Sequence, residues 1–90
     1  MKTDKNRKKI SRFQVKGFPR ITIDPNQMGG APCIRHIRVP VSTIMRMLAN
    51  GMSTQQVIAE LPYIEEEDIV EALLFAAESL ERSRELTHSK

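Results

Sequence analysis

Residues 21–80 decide the fold, and they read ITIDPNQMGGAPCIRHIRVPVSTIMRMLANGMSTQQVIAELPYIEEEDIVEALLFAAESL. At their start, residues 20–24 alternate with a period of two and are rich in β-branched side chains, which predicts a short strand. The Gly29-Gly30 pair before Pro32 indicates a turn, because glycine adopts positive φ and proline fixes the exit direction. A second extended segment over residues 33–39 completes the expected strand pair.

Three helix signatures fill the rest of this stretch. An apolar face with helical spacing begins at Val41 and ends before Asn50-Gly51, a typical helix stop. Ser53 and Gln56 have the spacing of a capping box, which predicts a second helix over about residues 54–61. A third helix then begins with the acidic run EEED, which suits the positive end of the helix dipole.

These patterns predict a mainly α domain, a three-helix helix-turn-helix-like bundle with a short N-terminal β-strand pair. We expect the domain over residues 20–80. A basic flexible arm of residues 1–19 precedes it, and a C-terminal tail of residues 81–90 follows, where the apolar pattern is lost. Ninety residues form a single small domain, whose core must be aliphatic because the chain has no Trp and few aromatic residues.

The third helix is apolar over an arc that is too wide for one core to cover. One apolar stripe consists of Ile69, Leu73, Ala76 and Leu80, and a second stripe beside it consists of Val70, Leu74 and Ala77. Small domains are often completed by oligomerisation, so we expect a homodimer built on this helix and the N-terminal strands. The predicted dimer interface on the helix consists of Val70, Leu74, Ala77 and Leu80.

Charge is distributed unevenly along the chain. Residues 1–20 carry a net charge of +7 and residues 21–90 a net charge of −4. A basic arm can bind nucleic-acid backbones by releasing counterions, and the alternative is a solvated tail that only aids solubility. A recognition role for the third helix is disfavoured, because its acidic start would face phosphates. The predicted contacts to double-stranded DNA are Lys5, Arg7, Lys8, Lys9, Arg12, Arg35, Arg38, Gln55 and Gln56.

No set of residues in the sequence has the pattern of a catalytic or metal site. Cys33 and His36 could form half a metal site, or a nucleophile and its base, but no second pair accompanies them. The glycine pair lacks the Lys and Ser/Thr of a phosphate-binding loop. The acidic run cannot converge on one metal, because consecutive helical residues point in different directions. We therefore expect no enzymatic activity, no metal and no cofactor.

The cysteine content and the hydropathy of the sequence indicate the cellular compartment of the protein. A lone cysteine excludes an internal disulfide and fits a reducing environment. No apolar run is long enough to cross a bilayer, and no hydrophobic segment follows the basic N-terminus as in a signal peptide. We expect a cytoplasmic protein that makes no membrane contact.

The order of motifs resembles a known family. DPNQMGGAPCIR, RVPV, NGMS and LPYIEEEDIVEALLFAAE, read in sequence, resemble the bacterial family called domain of unknown function 433 over residues 21–80. That family is similar to the VapB-type antitoxins of type II toxin–antitoxin pairs. Its members resemble small helix-turn-helix-type dimers, often encoded beside a protein with a PIN-like nuclease fold that they are thought to bind and silence. The N-terminal arm lies outside the resemblance.

This chain departs from the family pattern at two places. Many members carry Gly-Thr where His36-Ile37 stands here, and both pairs fit a strand or turn. Many also carry Thr as the cap before the third helix, where this chain has Glu65. Glu is a poorer cap, so we expect this helix start to be less stable by about 1 kcal/mol.

The resemblance implies an antitoxin-like protein that binds and silences a PIN-like nuclease toxin and binds operator DNA. The alternative is a stand-alone dimeric helix-turn-helix DNA-binding regulator with no toxin, and the neighbouring gene would separate the two. We place the toxin contact in residues 78–90, where Arg82 and Arg84 can form bidentate pairs with acidic groups of a nuclease.

Overall fold

The computed structural model describes residues 13–87, with side chains described up to residue 84. Four strands form one antiparallel sheet in sequence order: β1 (Gln14–Val15), β2 (Phe18–Ile23), β3 (Pro32–Ile34) and β4 (Val39–Pro40). The helices of this part of the chain are α1 (Val41–Ala49), α2 (Thr54–Glu60) and α3 (Glu66–Thr87). One 3-10 turn, Met28–Gly30, joins β2 to β3.

The predicted mainly α bundle is therefore wrong. The helices pack with a four-stranded antiparallel sheet, so the fold is α+β. The strand expected at residues 20–24 lies largely within β2, whereas the extended segment expected over residues 33–39 is divided by a turn over residues 35–38 into β3 and β4. Periodicity could not reveal the sheet, because three of its strands have only two or three residues and are stabilised by pairing. The sheet also takes in residues 14–19, which we had assigned to the flexible arm.

The sheet is held by short-range pairing of two hairpins. In the first, β1 pairs with β2 through a tight turn in which Gly17 has φ of 86°. In the second, β3 pairs with β4 through a turn over residues 35–38. Ile21 of β2 lies opposite Ile34 of β3, and both are fully buried. This cross-strand pair anchors the sheet to the core.

The core is aliphatic, as the sequence predicted. Its buried members come from β2, β3, all three helices and the loop before α3: Ile21, Ile34, Val41, Ile44, Val57, Ile64, Ile69 and Ala72. The ring of Phe18 meets that of Phe75 edge to face, with centroids 5.4 Å apart, where β2 contacts α3. Helix α3 thus packs on both the sheet and α1.

The turn between α1 and α2 follows the predicted signals closely. Gly51 has φ of 94°, and its N–H donates to Leu48 O at 3.0 Å while Met52 N–H donates to Met47 O at 3.2 Å. This pair of bonds is a Schellman motif, which satisfies the last carbonyls of α1. Ser53 and Gln56 then form the predicted capping box at the start of α2.

We expect Gly51→Ala to lower the free energy of unfolding by about 1 kcal/mol, because an L-residue is strained in this left-handed conformation. A Cβ at this position would meet no atom within 4 Å, so the loss is conformational and not steric. Gly51→Asn is the matched control and should lose less, since Asn tolerates positive φ. Equal losses for the two variants in urea unfolding would contradict this explanation.

Helix α3 extends further than predicted. It continues through Thr87, so residues 81–87 are helical and do not form the beginning of a tail. The apolar pattern ends there because residues 81–85 are all polar or charged, yet an ion pair between Arg82 and Glu78 one turn apart favours the helix. No helix within residues 13–87 has the length and apolar character needed to cross a membrane.

Candidate protein-interaction surface

A buried carboxylate fixes the start of α3 against the sheet. Asp68 is completely buried, and its oxygens accept hydrogen bonds from Arg35 Nη2 at 2.7 Å, Arg35 Nε at 3.1 Å and Arg20 Nη1 at 2.9 Å. The backbone N–H of Glu65 adds a fourth bond at 2.8 Å. We call Asp68, Arg20 and Arg35 the ion cluster. It joins β2 and the β3–β4 turn to α3.

Neighbouring groups extend the ion cluster on both sides. The Arg20 guanidinium also donates to Glu65 Oε1 at 2.8 Å, and the Arg20 backbone N–H donates to Glu71 Oε2 at 2.6 Å. Arg35 Nη2 donates to the carbonyl of Tyr63 at 2.9 Å. Each arginine thus bridges separate elements, so the first two turns of α3 are held in a defined orientation.

The cap of α3 differs from the prediction. Glu65 occupies the N-cap position, but the carboxylate of Asp68, three residues on, reaches back to the Glu65 N–H. Asp68 therefore makes the reciprocal bond of a capping box, which offsets the poor cap that Glu65 provides. Ile64 and Ile69 flank the cap and lie in the same buried cluster, in the positions of a hydrophobic staple.

Burial and hydrogen bonding oppose each other at the Asp68 carboxyl. Burial alone would raise its pKa, but the hydrogen bonds from Arg35, the Glu65 N–H and Arg20 outweigh this and hold the pKa below its ordinary range. The hydrogen bonds that the Arg20 guanidinium donates to the carboxylates of Glu65 and Asp68 raise the pKa of Arg20. Asp68 is therefore ionised in the folded protein wherever the arginines remain paired with it.

This lowered pKa predicts that the protein loses stability in acid. A carboxyl whose pKa is lower in the folded chain than in the unfolded chain stabilises the fold above its ordinary pKa of about 4. That contribution is lost as the pH falls through the lowered folded-state pKa. We expect urea midpoints to fall between neutral pH and pH 3, and to fall less in Asp68→Asn, which cannot ionise. If the urea midpoints of the two proteins fall equally with pH, a role for Asp68 is contradicted.

The opposite face of α3 presents apolar side chains to solvent. Val70, Leu73, Ala77 and Leu80, which we call the apolar stripe, follow one another at intervals of three, four and three residues. Ala77 is exposed, and the exposed fractions of the others are 52% for Val70, 41% for Leu73 and 71% for Leu80. Leu74, 59% exposed, lies beside the stripe. Contiguous exposed apolar surface of this kind marks interaction sites.

The structure brings the predicted dimer residues together on this face. Of these residues, Val70, Ala77 and Leu80 belong to the apolar stripe, and Leu74 borders it. The prediction for Leu73 is wrong. We placed Leu73 on the same stripe as Ile69, but Ile69 is fully buried and Leu73 is exposed. The core-facing positions are instead Ile69 and Ala72, with Phe75 partly buried beside them.

A groove continues the apolar stripe toward α1. It has a volume of about 440 Å³ and lies between β3, α1 and α3. Its apolar walls include Val41 and Met45 from α1 and Phe75 and Leu80 from α3. Leu80 therefore belongs both to the stripe and to the rim of the groove, and the two form one surface.

The predicted toxin contacts lie at the distal end of α3. All side chains from Ala77 to Arg84 are exposed. Arg82 Nη2 donates to Glu78 Oε2 at 3.2 Å in a pair that is exposed on both sides. Arg84, seven residues after Ala77, extends the line of the apolar stripe, whereas Arg82 does not.

The predicted DNA contacts are scattered over several elements. Lys5, Arg7, Lys8, Lys9 and Arg12 lie outside the described residues. Arg35 is part of the ion cluster, and the side chain of Gln56 accepts the Ser53 N–H at 2.7 Å in the capping box. Arg38 lies exposed in the β3–β4 turn and Gln55 lies exposed in α2.

Cys33 and His36 occupy different environments. Cys33 is buried in β3, and its Sγ donates to the carbonyl of Ala31 at 3.4 Å. Burial raises the pKa of this thiol, which disfavours the reactive thiolate. His36 lies exposed in the β3–β4 turn.

Sequence reasoning missed the ion cluster and two ends of the apolar stripe. We assigned Asp68 to the acidic helix start and counted Arg20 only in the net charge of residues 1–20, and nothing in the local sequence indicates that the two side chains pair. Glu66 and Arg84 extend the stripe at its two ends by four residues each. The intervals between them, which follow a seven-residue repeat, could have revealed this line.

The fold and the exposed helix define a small α+β domain with an uncovered apolar helix face. The chain belongs to the family described as "Protein of unknown function (DUF433)", whose model matches residues 21–76. The family resemblance seen in the sequence is thereby confirmed. No curated protein matches the chain.

One solved structure is similar to this chain along most of its length. It is the crystal structure, at 2.00 Å resolution, of a DUF433 member protein from Anabaena variabilis ATCC 29413. The two sequences are 29% identical, and the superposition has a TM-score of 0.66. The match covers 76% of this chain and 68% of the other.

Proposed function

We propose that this protein is a non-catalytic, antitoxin-like member of a type II toxin–antitoxin system that binds and silences a PIN-like nuclease. We propose a nuclease as the partner because the family resembles the VapB-type antitoxins. The observation that carries the proposal is the distal part of α3, which is helical but has every described side chain from residue 77 to residue 84 exposed.

A helical segment of this kind favours binding to another protein. Isolated helices of this length are marginal in water, and most helices in proteins are stabilised by packing of an apolar face. Here the segment carries an exposed leucine, Leu80, and makes its own ion pair between Glu78 and Arg82. A partner that covers this segment would remove Leu80 from water and stabilise the helix end.

Arg82 is the side chain best suited to contact an acidic nuclease site. A nuclease that uses divalent metal ions holds them with carboxylates, and arginine forms bidentate pairs with such groups. The pair between Arg82 and Glu78 is exposed, and exposed ion pairs contribute little, so Arg82 can exchange Glu78 for a carboxylate of the toxin. Arg84 adds positive charge at the same helix end.

The absence of a catalytic role is also part of this proposal. In the described part of the chain, the buried carboxylate and the buried thiol have structural partners: Asp68 is paired with two arginines, and Cys33 donates to a backbone carbonyl. Asp68 lies on the side of α3 that contacts the sheet, opposite the apolar stripe. Inhibition of the nuclease would then come from covering its active site, with no chemistry performed by this chain.

Co-purification with the protein encoded by the neighbouring gene tests the proposal. The full chain should retain that protein, and Arg82→Glu should weaken the complex by about tenfold, because it places like charges in contact. Arg46→Glu, an exposed change on α1, is the matched control and should bind as the wild type does. A chain ending at Ala77 should not bind.

Two outcomes would contradict the proposal in different ways. Undiminished binding by Arg82→Glu and by the chain ending at Ala77 would place the interface on another element. Failure of every neighbour-encoded protein to bind the full chain would exclude the antitoxin role.

A further inference from the structure

A pocket lies between the β1–β2 hairpin and α3. It has a volume of about 280 Å³, and its apolar lining consists of Val15, Phe18 and Phe75, which are all half-buried. The two phenylalanine rings meet edge to face here, with centroids 5.4 Å apart. No residue of the apolar stripe lines the pocket, so it occupies a different side of α3.

Exposed charged side chains form the rim of this pocket. Lys16 lies in the hairpin turn, and Glu78 and Arg82 lie on α3. Arg82 donates a hydrogen bond to Glu78 at 3.2 Å, so these two charges balance each other. Within residues 13–84 the Lys16 ammonium has no ion-pair partner. The rim therefore has one uncompensated positive charge, which a single carboxylate of a ligand would neutralise.

We propose that the pocket receives an aromatic side chain of a protein partner, and that an aspartate or glutamate next to this side chain pairs with Lys16. The inference rests on the proposed antitoxin function for the identity of the partner, and it names the segment of that partner that docks beside Arg82. The β1–β2 hairpin then belongs to the interface together with the distal part of α3.

The size of the pocket favours one side chain over a free small molecule. Sites for small molecules have volumes of about 300–1,000 Å³, and this pocket is smaller than that. Aromatic rings prefer edge-to-face contacts, so a third ring can pack against the pair of Phe18 and Phe75. Aromatic side chains that fill pockets of this kind contribute much of the binding energy of protein interfaces.

The charge of the rim favours a segment from an acidic partner over the N-terminal arm of this chain. Residues 1–12 carry six basic side chains and one acidic one, so Lys16 and Arg82 repel them. A nuclease that uses divalent metal ions has carboxylates around its active site. A partner of this class can therefore supply the acidic residue that the pocket requires.

Binding of a short peptide to the full chain tests the pocket without the nuclease. The probe is acetyl-Phe-Glu amide, and acetyl-Phe-Lys amide is the matched control. At millimolar concentration, acetyl-Phe-Glu amide should shift the amide NMR signals of residues 15–18 and 75–82. The control should bind about fivefold more weakly, because its ammonium meets Lys16. If the probe shifts neither segment, or if the two peptides bind equally, the inference is wrong.

Two variants test the pocket in the complex with the neighbour-encoded protein. Val15→Phe fills the pocket from β1 with a residue that suits a strand, and Lys16→Glu reverses the charge of the rim. Each should weaken the complex by about tenfold. Arg38→Glu, an equally exposed change in the β3–β4 turn, is the matched control and should bind as the wild type does. Because Lys16 is exposed, Lys16→Glu should keep the far-UV circular dichroism of the wild type even if Val15→Phe disturbs β1.

The outcomes separate this inference from the proposed function. If Arg82→Glu weakens the complex but Lys16→Glu and Val15→Phe do not, the antitoxin proposal stands and the pocket inference is wrong. If the peptide binds in the pocket but no neighbour-encoded protein binds the full chain, the ligand chemistry stands and the antitoxin proposal is wrong. Self-association of the chain that Lys16→Glu abolishes would identify a second copy as the occupant and overturn the inference.

Discussion

The Asp68→Ala variant is expected to lose about 3 kcal/mol of stability, the value typical for removing one partner of a buried ion pair. The substitution deprives Arg20 and Arg35 of their shared acceptor and also removes the bond that caps α3. Both guanidinium groups are about one third exposed, so water compensates in part and the loss should fall at the low end of the usual range.

Urea unfolding at fixed protein concentration measures this effect, and Glu67→Ala is the matched control. Glu67 also lies in the first turn of α3, but its side chain is exposed. We expect a change of less than about 0.5 kcal/mol for the control. Similar losses for the two variants would show that the first turn of α3 depends on helix-dipole charge in general, and not on the ion cluster.

The second large effect is expected on DNA binding. It tests the alternative function, a stand-alone DNA-binding regulator. Residues 1–12 carry six basic side chains and one acidic one. If they contact phosphates, deleting them should reduce the salt slope of DNA binding by up to about 5, because each phosphate contact contributes about 0.9 to that slope. The loss should be the same for all sequences, since backbone contacts carry no sequence information.

The structure decides where this deletion must end. Gln14 and Val15 form β1, so a deletion that reached residue 18 would remove a strand and confuse unfolding with loss of binding. Fluorescence anisotropy at several salt concentrations, with and without residues 1–12, gives the two slopes. An unchanged slope would mean that residues 1–12 make no phosphate contact, and the alternative function would then lose its main support.

Local signals explain which parts of the fold the sequence could predict. The proline before α1, the Asn50-Gly51 stop and the Ser53–Gln56 capping box each act within one turn, so α1 and α2 appear where the sequence places them. The sheet depends on pairing between neighbouring strands, which a pattern within one strand does not reveal. Its two-residue strands carry no periodicity of their own.

The acidic start of α3 shows the limit of the sequence for the site. Glu65, Glu66, Glu67 and Asp68 look alike as helix-dipole charges, yet only Asp68 of these is buried. Asp68 differs from the other three because Arg20 and Arg35 donate hydrogen bonds to it. Both arginines are distant from Asp68 in the sequence, and the sheet brings them to it. The exposed stripe, by contrast, follows from the sequence repeat within α3 alone, and most of it was predicted.

Amide hydrogen exchange along α3 tests most directly the claim that its exposed face binds another protein. Exchange is compared between the full chain alone and the chain with the protein encoded by the neighbouring gene. We predict that peptides from the distal part of α3, residues 77–87, exchange about tenfold more slowly in the complex, while peptides from α2 are unchanged. A complex that forms without any change in exchange over residues 77–87 would contradict the claim.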